Sequence, residues 1–282
     1  MTERPRHIII CADDYGISPA VGAAIRDLIE RRRINATSVM VAAPNFSPDE
    51  AVALGASAQS RAAIGLHVTL TAPFAPLDGG FTPLRHGAFL PLSTVLRRAL
   101  TRSLKPALLE AEIANQFEAF RGAFGREPDF VDGHQHVQLF PQIGDALIRV
   151  IQHHAPQAWL RQCGRARSAH KVPTRKMLAD PKALLLDRLS ARLRRLAASH
   201  GVRTNPAFAG TYAFRPRADY AKLFPDFLSA LPDGGVVMCH PGKVDAELRR
   251  LDPLTDLRER EYAFFLGEAF PQLLAEHGLA LV

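Results

Sequence analysis

The chain has 282 residues, of which 47% are hydrophobic and 22% are charged, and its formal net charge is +7. These values are typical of a globular protein with a large core and exclude a miniprotein that depends on disulfides. No apolar run approaches the roughly 20 residues of a membrane span. The positive charge is compatible with an acidic partner or with a solvated basic surface, and we expect no nucleic-acid partner.

Three cysteines, Cys11, Cys163 and Cys239, lie far apart in the sequence. An odd number of separated cysteines argues against a disulfide framework and fits a reducing compartment. The first six residues lead directly into a predicted strand and leave no room for a signal peptide. We therefore expect a cytoplasmic protein. The sequence leaves the oligomeric state open, and a homodimer is compatible with it.

Apolar runs alternate with helical patterns along the chain. The first run begins at His7 and ends at the acidic pair Asp13-Asp14, which predicts a buried parallel strand and its exit loop. Ser18-Pro19 then begins a helix. Later strands are predicted at 37–43, 63–71, 129–134, 159–163, 234–242 and 279–282, and later helices at 106–124, 141–154, 181–200 and 255–277, with a short one from Ser47. This alternation predicts a parallel sheet or barrel within one domain, residues 1–282.

Two segments lack a clean helical or strand period. Residues 72 to about 104 are rich in Pro, Gly and Leu, which predicts a long loop or insertion. Phe74, Phe81 and Phe89 lie in it; they either stack on a ligand or, as we favour, close a small core of the insertion's own. The segment 164–176 is basic and is predicted to be a loop.

Polar residues that bind metals or move protons follow four predicted strands: Asp13 and Asp14, His67, His134 with His136, and His240. Each alone is a weak signal, because a single His after an apolar run is more often structural, and an acidic loop often only caps the next helix. Together they are more informative, since a barrel brings its strand ends to one mouth. One carboxylate and two imidazoles suit a divalent cation with open positions. A second carboxylate would then be free to act as a base.

The combination of Ala12-Asp13-Asp14-Tyr15-Gly16, Gly65-Leu66-His67, Asp132-Gly133-His134-Gln135-His136 and Met238-Cys239-His240-Pro241 resembles the YdjC-like carbohydrate deacetylases. These include chitooligosaccharide deacetylases and hopanoid-associated deacetylases, and we expect this chain to be nearer the general sugar branch. The resemblance implies a distorted (β/α) TIM-like barrel that removes acetyl groups from N-acetylated sugars or oligosaccharides. It also implies one divalent metal ion, magnesium first, with zinc, manganese or cobalt as alternatives.

The resemblance also implies a role for each matching residue. Asp14, His67 and His134 match the metal ligands, Asp13 matches the catalytic base, and His240 matches an active-site histidine that would protonate the leaving amine. Tyr15, Asp132 and His136 are expected to bind substrate or to support the ligands, and Tyr15 or a backbone amide would stabilise the oxyanion. Related sequences often carry a histidine where this chain has Gln138, so we do not expect position 138 in the site.

Three other interpretations use the same residues. A metal-dependent phosphoesterase has a similar Asp/His set, and basic loops favour it. A non-catalytic sugar-binding barrel would keep an aromatic mouth but would have no use for Asp13. The polar strand ends may also be only structural, each hydrogen-bonded within the fold. Metal-dependent release of acetate distinguishes the deacetylase from all three.

Overall fold

A computed structural model of the chain describes residues 4–166, 181–215 and 217–281. Its strands are β1 Arg6–Tyr15, β2 Ala36–Val39, β3 Ala63–Val68, β4 Phe130–Gly133, β5 Trp159–Leu160, β6 Phe208–Ala209, β7 Val236–Cys239 and β8 Leu279–Leu281. Its α-helices are α1 Pro19–Glu30, α2 Pro48–Ala58, α3 Leu92–Leu100, α4 Pro106–Phe124, α5 Ile143–His154, α6 Pro181–Ser199, α7 Tyr220–Leu228, α8 Ala246–Leu251, α9 Asp256–Leu266 and α10 Ala269–Glu276.

The strands form one curved sheet in the order β5-β4-β3-β2-β1-β7-β6, and β8 pairs with the beginning of β1. Every strand pair is parallel. The two edges also meet, because Leu160 forms a bridge with Thr204 and the Phe208 N–H donates to the Gly164 carbonyl at 3.0 Å. The predicted distorted (β/α) barrel is confirmed, and its irregular closure on the β5–β6 side is the distortion.

Strand β1 lies at the centre of the sheet because it is apolar on both faces. Ile8, Ile10, Cys11 and Ala12 are fully buried. Helices cover both sides of such a strand in α/β folds, which explains its continuous apolar run. The carboxyl end of β1 therefore lies in the middle of the barrel mouth, beside the ends of β2 and β7.

Local signals in the sequence correctly predicted most helix ends. The Ser18 hydroxyl accepts from the Val21 N–H at the start of α1. Gly125 has φ 65° and ends α4, because the left-handed region that it occupies costs glycine little. Within the described residues, no helix is both long and apolar enough to span a membrane.

Three predicted elements were wrong in detail. The segment 72–104 contains helix α3, whose turns were hidden by the Pro and Gly residues that precede it. The predicted helix 255–277 is two helices, α9 and α10, separated at Gly267. The predicted strand 129–134 is shorter at both ends, because β4 is Phe130–Gly133 and residues His134–Leu139 form a 3-10 segment.

Candidate metal and active site

Five predicted site residues converge at the barrel mouth. Asp13, Asp14, His67, His134 and His240 all line one cleft of about 480 Å³. They come from the ends of β1, β3, β4 and β7, as expected for strand ends that meet at one edge of a parallel sheet. The rings of His67 and His134 have their centroids 5.6 Å apart. One small ligand can therefore contact several of these groups at once.

The backbone turns sharply between the two adjacent aspartates. Asp14 has φ 68°, and the pairing of β1 with β2 shifts register between Ala12 and Tyr15, as at a β-bulge. A positive φ is uncommon for a residue other than glycine and is often found at functional sites. Because of this turn, Asp13 and Asp14 both line the cleft instead of pointing to opposite faces of the sheet.

Asp14, His67 and His134 together form a candidate cation site. One possible ligand atom from each lies within 4.8 Å of the others, and all three residues are buried. Asp14 Oδ1 is 3.2 Å from His67 Nε2 and 3.0 Å from His134 Nδ1. One carboxylate oxygen and two imidazole nitrogens that converge in this way suit a divalent cation that keeps open positions. The donor set therefore fits a metal.

Asp132 orients His67. The Asp132 Oδ1 atom lies 2.5 Å from His67 Nδ1, which leaves Nε2 directed at Asp14. Histidines that bind metals usually donate their other ring N–H to a carboxylate in this way. Burial alone would lower the pKa of His67, but the neighbouring carboxylates of Asp132 and Asp14 raise the pKa to about 10. A proton therefore occupies this imidazole when no cation does.

Asp13 is held by a fully buried arginine. Arg161 donates to both carboxylate oxygens of Asp13, with both distances 2.6 Å, and its Nη1 lies 2.9 Å from Asp132 Oδ2. Burial would raise the pKa of Asp13, but the charge and hydrogen bonds of Arg161 lower the pKa to about 2. Cys11, Asp13 and Asp132 also form a cluster of possible ligands, but the Arg161 guanidinium already pairs with both of its carboxylates.

His134 and His136 lie on a tight left-handed turn. Gln135 has φ 55° and His136 has φ 61°, so His134 and His136 do not lie on one face of a strand. The His136 Nδ1 atom is 3.5 Å from Cys163 Sγ. His136 lines the cleft but is outside the group of three cation ligands. Gln138 is fully buried and does not line the cleft.

His240 lies on the wall formed by the end of β7. Its backbone N–H donates to Glu261 Oε2 at 2.5 Å, and Tyr212 donates to the other oxygen of Glu261 at 2.6 Å. Burial lowers the pKa of His240, and Arg258 adds to this effect. Burial raises the pKa of Glu261 to about 7. The Nδ1 atom of His240 is buried and has no hydrogen-bond partner in the described part of the chain.

Arg258 holds the second oxygen of Asp14. Its Nη2 atom donates to Asp14 Oδ2 at 2.6 Å and to Asp252 Oδ2 at 3.0 Å, and its Nε donates to the Leu254 carbonyl. Burial would raise the pKa of Asp14, but Arg258 and His134 hold the pKa well below its usual range. Asp14 therefore presents Oδ1 to the two histidines as a charged carboxylate.

Tyr15 does not line the cleft, so the structure gives no support to its predicted role at the oxyanion. It is fully buried, and its hydroxyl contacts the Glu50 carboxylate at 2.8 Å and Arg26 Nη1 at 2.6 Å. The turn at Asp14 brings the aspartates into the cleft and sends the next side chain behind the sheet. Tyr15 thus connects β1 to helices α1 and α2.

The phenylalanines of the 72–104 segment form a core, as favoured from the sequence. Phe74, Phe81 and Phe89 are buried, and the rings of Phe81 and Phe89 pack edge to face. Phe214 lines the cleft, and its ring centroid lies 5.5 Å from that of His240. Other apolar side chains that line the cleft are Leu92, Leu96, Phe140, Leu185, Leu186, Leu189, Pro253 and Leu254. Residues 167–176 of the predicted basic loop lie outside the described residues.

Sequence reasoning missed three buried charged residues, Arg161, Arg258 and Glu261. Arg161 had a usable signal, because it directly follows the apolar pair Trp159-Leu160 at a strand end. Arg258 and Glu261 belong to a run of alternating acidic and basic residues that is typical of an exposed helix. Only the packing of α9 against the barrel shows that both are buried.

Comparisons with known proteins agree on one family. Residues 7–276 match the YdjC-like protein family. A carbohydrate deacetylase of Clostridium beijerinckii is 22% identical over 98% of this chain and 97% of its own length. A chitooligosaccharide deacetylase of Klebsiella pneumoniae is 30% identical, but the match covers only 49% of this chain and 52% of that protein.

One solved structure resembles the whole chain. It is a protein of Enterococcus faecalis V583 for which cellobiose-phosphate cleavage has been suggested. It covers 99% of this chain and 97% of its own, with a TM-score of 0.75 and 19% identity. At that identity the likeness shows that the fold is shared.

Proposed function

Because the chain belongs to the YdjC-like family, we propose that it is a divalent-metal-dependent hydrolase that removes acetyl groups from N-acetylated sugars or oligosaccharides. The observation that carries the proposal is the convergence of Asp14, His67 and His134 on one point of the cleft, with Asp13 beside them. The names of the Clostridium and Klebsiella relatives support an acetylated carbohydrate as the substrate.

Asp14, His67 and His134 would hold the cation, which would polarise the acetyl carbonyl and activate a water molecule for attack. Magnesium is the ion that the family resemblance implies, while two imidazole ligands also suit zinc, manganese or cobalt. Asp132 would keep His67 in the tautomer that directs a lone pair from Nε2 at the cation. Arg258 would keep Asp14 charged and fixed.

Asp13 would act as the base that accepts the proton of the attacking water. It is charged at neutral pH, and Arg161 fixes the plane of its carboxylate through two hydrogen bonds. A pKa of about 2 makes this carboxylate a weak base, so its contribution depends on position more than on basicity. The Arg161 contact with Asp132 links the base to the group that orients His67.

His240 would deliver a proton to the departing sugar amine. It lines the same cleft as the candidate ligands and belongs to a different strand, β7. Burial lowers the pKa of this imidazole, which makes its protonated form a stronger acid. The Glu261 carboxylate accepts a hydrogen bond from the backbone N–H of His240 and so holds the backbone that carries the imidazole in place.

The charges at the site favour a neutral substrate over a phosphate ester. Asp13, Asp14, Asp132 and Asp252 carry four negative charges, and Arg161 and Arg258 carry two positive charges in direct contact with them. A divalent cation would balance the remainder, so among the described residues that contact these carboxylates no positive charge would be left for a phosphate. An uncharged N-acetyl group meets no such penalty.

Acetate release from a panel of N-acetylated oligosaccharides, with and without chelator, tests the proposal. We expect acetate to form, to stop on chelation and to return when a divalent cation is added. Hydrolysis of p-nitrophenyl phosphate without acetate release would replace the deacetylase with a phosphoesterase. Sugar binding without any turnover would indicate a binding protein instead.

Metal content of two histidine variants tests the ligand assignment. Purified wild-type protein should bind about one equivalent of a divalent cation, and His134→Ala should lose it. His154→Ala is the matched control, because His154 lies on the outer face of α5 and pairs with Glu118. Equal metal content in the two variants would remove His134 from the site.

A further inference from the structure

Arg258 has one donor without a hydrogen-bond partner among the described residues. Its side chain is fully buried and lines the cleft. Nη2 and Nε are occupied by Asp14, Asp252 and the Leu254 carbonyl, but Nη1 has no hydrogen-bond partner within the described residues. An unpaired buried donor on a cation is costly and normally has an explanation.

The positive charge of Arg258 is already compensated by neighbouring carboxylates. The Arg258 guanidinium contacts two carboxylates, Asp14 at 2.6 Å and Asp252 at 3.0 Å. Its positive charge is therefore compensated, and a further anion would be repelled by the carboxylates around it. A neutral acceptor, such as a carbonyl or hydroxyl oxygen, would satisfy Nη1 without adding charge.

A second unpaired nitrogen lies on the wall of the same cleft. The Nδ1 atom of His240 is buried without a partner among the described residues. Gly242, two residues after His240, donates its N–H to the Arg258 carbonyl at 3.0 Å, which ties the β7 turn to helix α9. The two unpaired nitrogens thus belong to segments that are held together.

We infer that Arg258 is a substrate-binding residue whose Nη1 donates a hydrogen bond to an uncharged oxygen of the N-acetylated sugar, while its Nη2 fixes Asp14. The oxygen is either the acetyl carbonyl or a sugar hydroxyl. This inference rests on the proposed deacetylase function. It assigns to Arg258 a specificity for neutral sugars over sugar phosphates.

Arg258→Lys separates the two tasks of the guanidinium. A lysine keeps a cation beside Asp14 and Asp252 but cannot present a second donor in a fixed fork. We expect this variant to retain its metal and to lose about 10- to 100-fold in kcat/KM, the range for a hydrogen bond to a charged group. A loss in kcat assigns Nη1 to the acetyl carbonyl, and a rise in KM with kcat unchanged assigns it to a hydroxyl.

Arg192→Lys is the matched control. Arg192 also donates through Nη2 to a carboxylate, Asp145, at 2.6 Å, and its Nη1 is also buried without a partner in the described chain. It does not line the cleft, so its substitution should leave kcat and KM unchanged. An equal loss in both variants would show a general effect of replacing an arginine that pairs with a carboxylate and would overturn the inference.

Binding without turnover keeps the test independent of activity. The dissociation constant of N,N′-diacetylchitobiose, measured by calorimetry on chelated protein, should rise for Arg258→Lys if Nη1 binds a hydroxyl. Unchanged kcat, KM and dissociation constant in a folded variant would overturn the inference, as would full recovery of activity on adding excess metal. If the wild-type protein releases no acetate from any sugar, the proposed function fails, and calorimetry still tests Arg258.

A crystal structure of the wild-type protein with a divalent cation and N-acetylglucosamine gives a measurement that does not depend on variants. We expect a ligand oxygen about 3 Å from Arg258 Nη1. A bound ligand with no oxygen within hydrogen-bonding distance of Nη1 would overturn the inference even if Arg258→Lys does not fold.

Discussion

The Asp13–Arg161 pair allows one substitution to be predicted for both stability and activity. Asp13→Asn removes a charge that receives two hydrogen bonds of 2.6 Å from a fully buried guanidinium. The pKa of Asp13 falls from 3.8 to about 2 in the folded protein, which corresponds to about 2 kcal/mol of stability at neutral pH. Asp132 stays 2.9 Å from Arg161, so the loss should not reach the 3–5 kcal/mol typical of a buried charge left alone.

The depressed pKa of Asp13 also determines how this stabilisation changes with pH. Because the folded pKa is depressed, the stabilisation is present above the unfolded pKa and is lost as the pH falls from about 4 towards 2. Urea unfolding should therefore show Asp13→Asn to be about 2 kcal/mol less stable at pH 7, with a smaller difference near pH 2. The same variant should keep its metal and lose at least about 100-fold in acetate release.

Asp129→Asn provides the control for this substitution. Asp129 also receives two hydrogen bonds from one arginine, Arg126, but both side chains are 42% exposed. An exposed pair is worth less than about 1 kcal/mol. Equal destabilisation by both variants would refute the reasoning from burial. If excess metal restored the activity of Asp13→Asn, Asp13 would be assigned as the metal ligand and Asp14 as the base.

Three further outcomes follow from the contacts of the site. Tyr15→Phe should leave kcat within about twofold, since the hydroxyl contacts Glu50 and Arg26 behind the sheet, and should lower the unfolding free energy by about 1 kcal/mol; a large loss of kcat would return Tyr15 to the active site. Asp132→Asn should weaken metal binding by about 10- to 100-fold in a metal titration, because it loosens His67; unchanged affinity would contradict that role. Because the pKa of His67 is about 10 without metal, a cation must displace its proton, so affinity should rise between pH 6 and 8 with proton release in calorimetry; a pH-independent affinity would show that this imidazole is already neutral.

The sequence was sufficient for the strands that carry the site. Each apolar run that ends at Asp or His forms a strand, and its carboxyl end lies at the barrel mouth because parallel strands end on the same side of the sheet. Positions 13, 14, 67, 134 and 240 all line the cleft for this reason. Their roles stay predictions until the variants are measured.

The sequence was insufficient where a backbone turn or long-range packing determines the direction or the burial of a side chain. In a regular strand Asp13 and Asp14 would point to opposite faces, but the positive φ at Asp14 turns both into the cleft, and Tyr15 does not line it. The buried state of Arg258 depends on α9 packing near the end of β1, more than 240 residues earlier in the chain. No local pattern distinguishes such a residue from an exposed helix arginine.

The central position of β1 also affects how the protein is made. Ile9 pairs with Val236, so one edge of the first strand has no partner until residue 236 has been synthesised. Until then the ribosome carries an apolar strand with unpaired N–H and C=O groups, the kind of edge that joins other chains. The same pairing places His240 beside the aspartates, so the cleft is assembled only after β7 emerges. A nascent chain that includes His134 but not β7 has the candidate metal ligands but lacks His240.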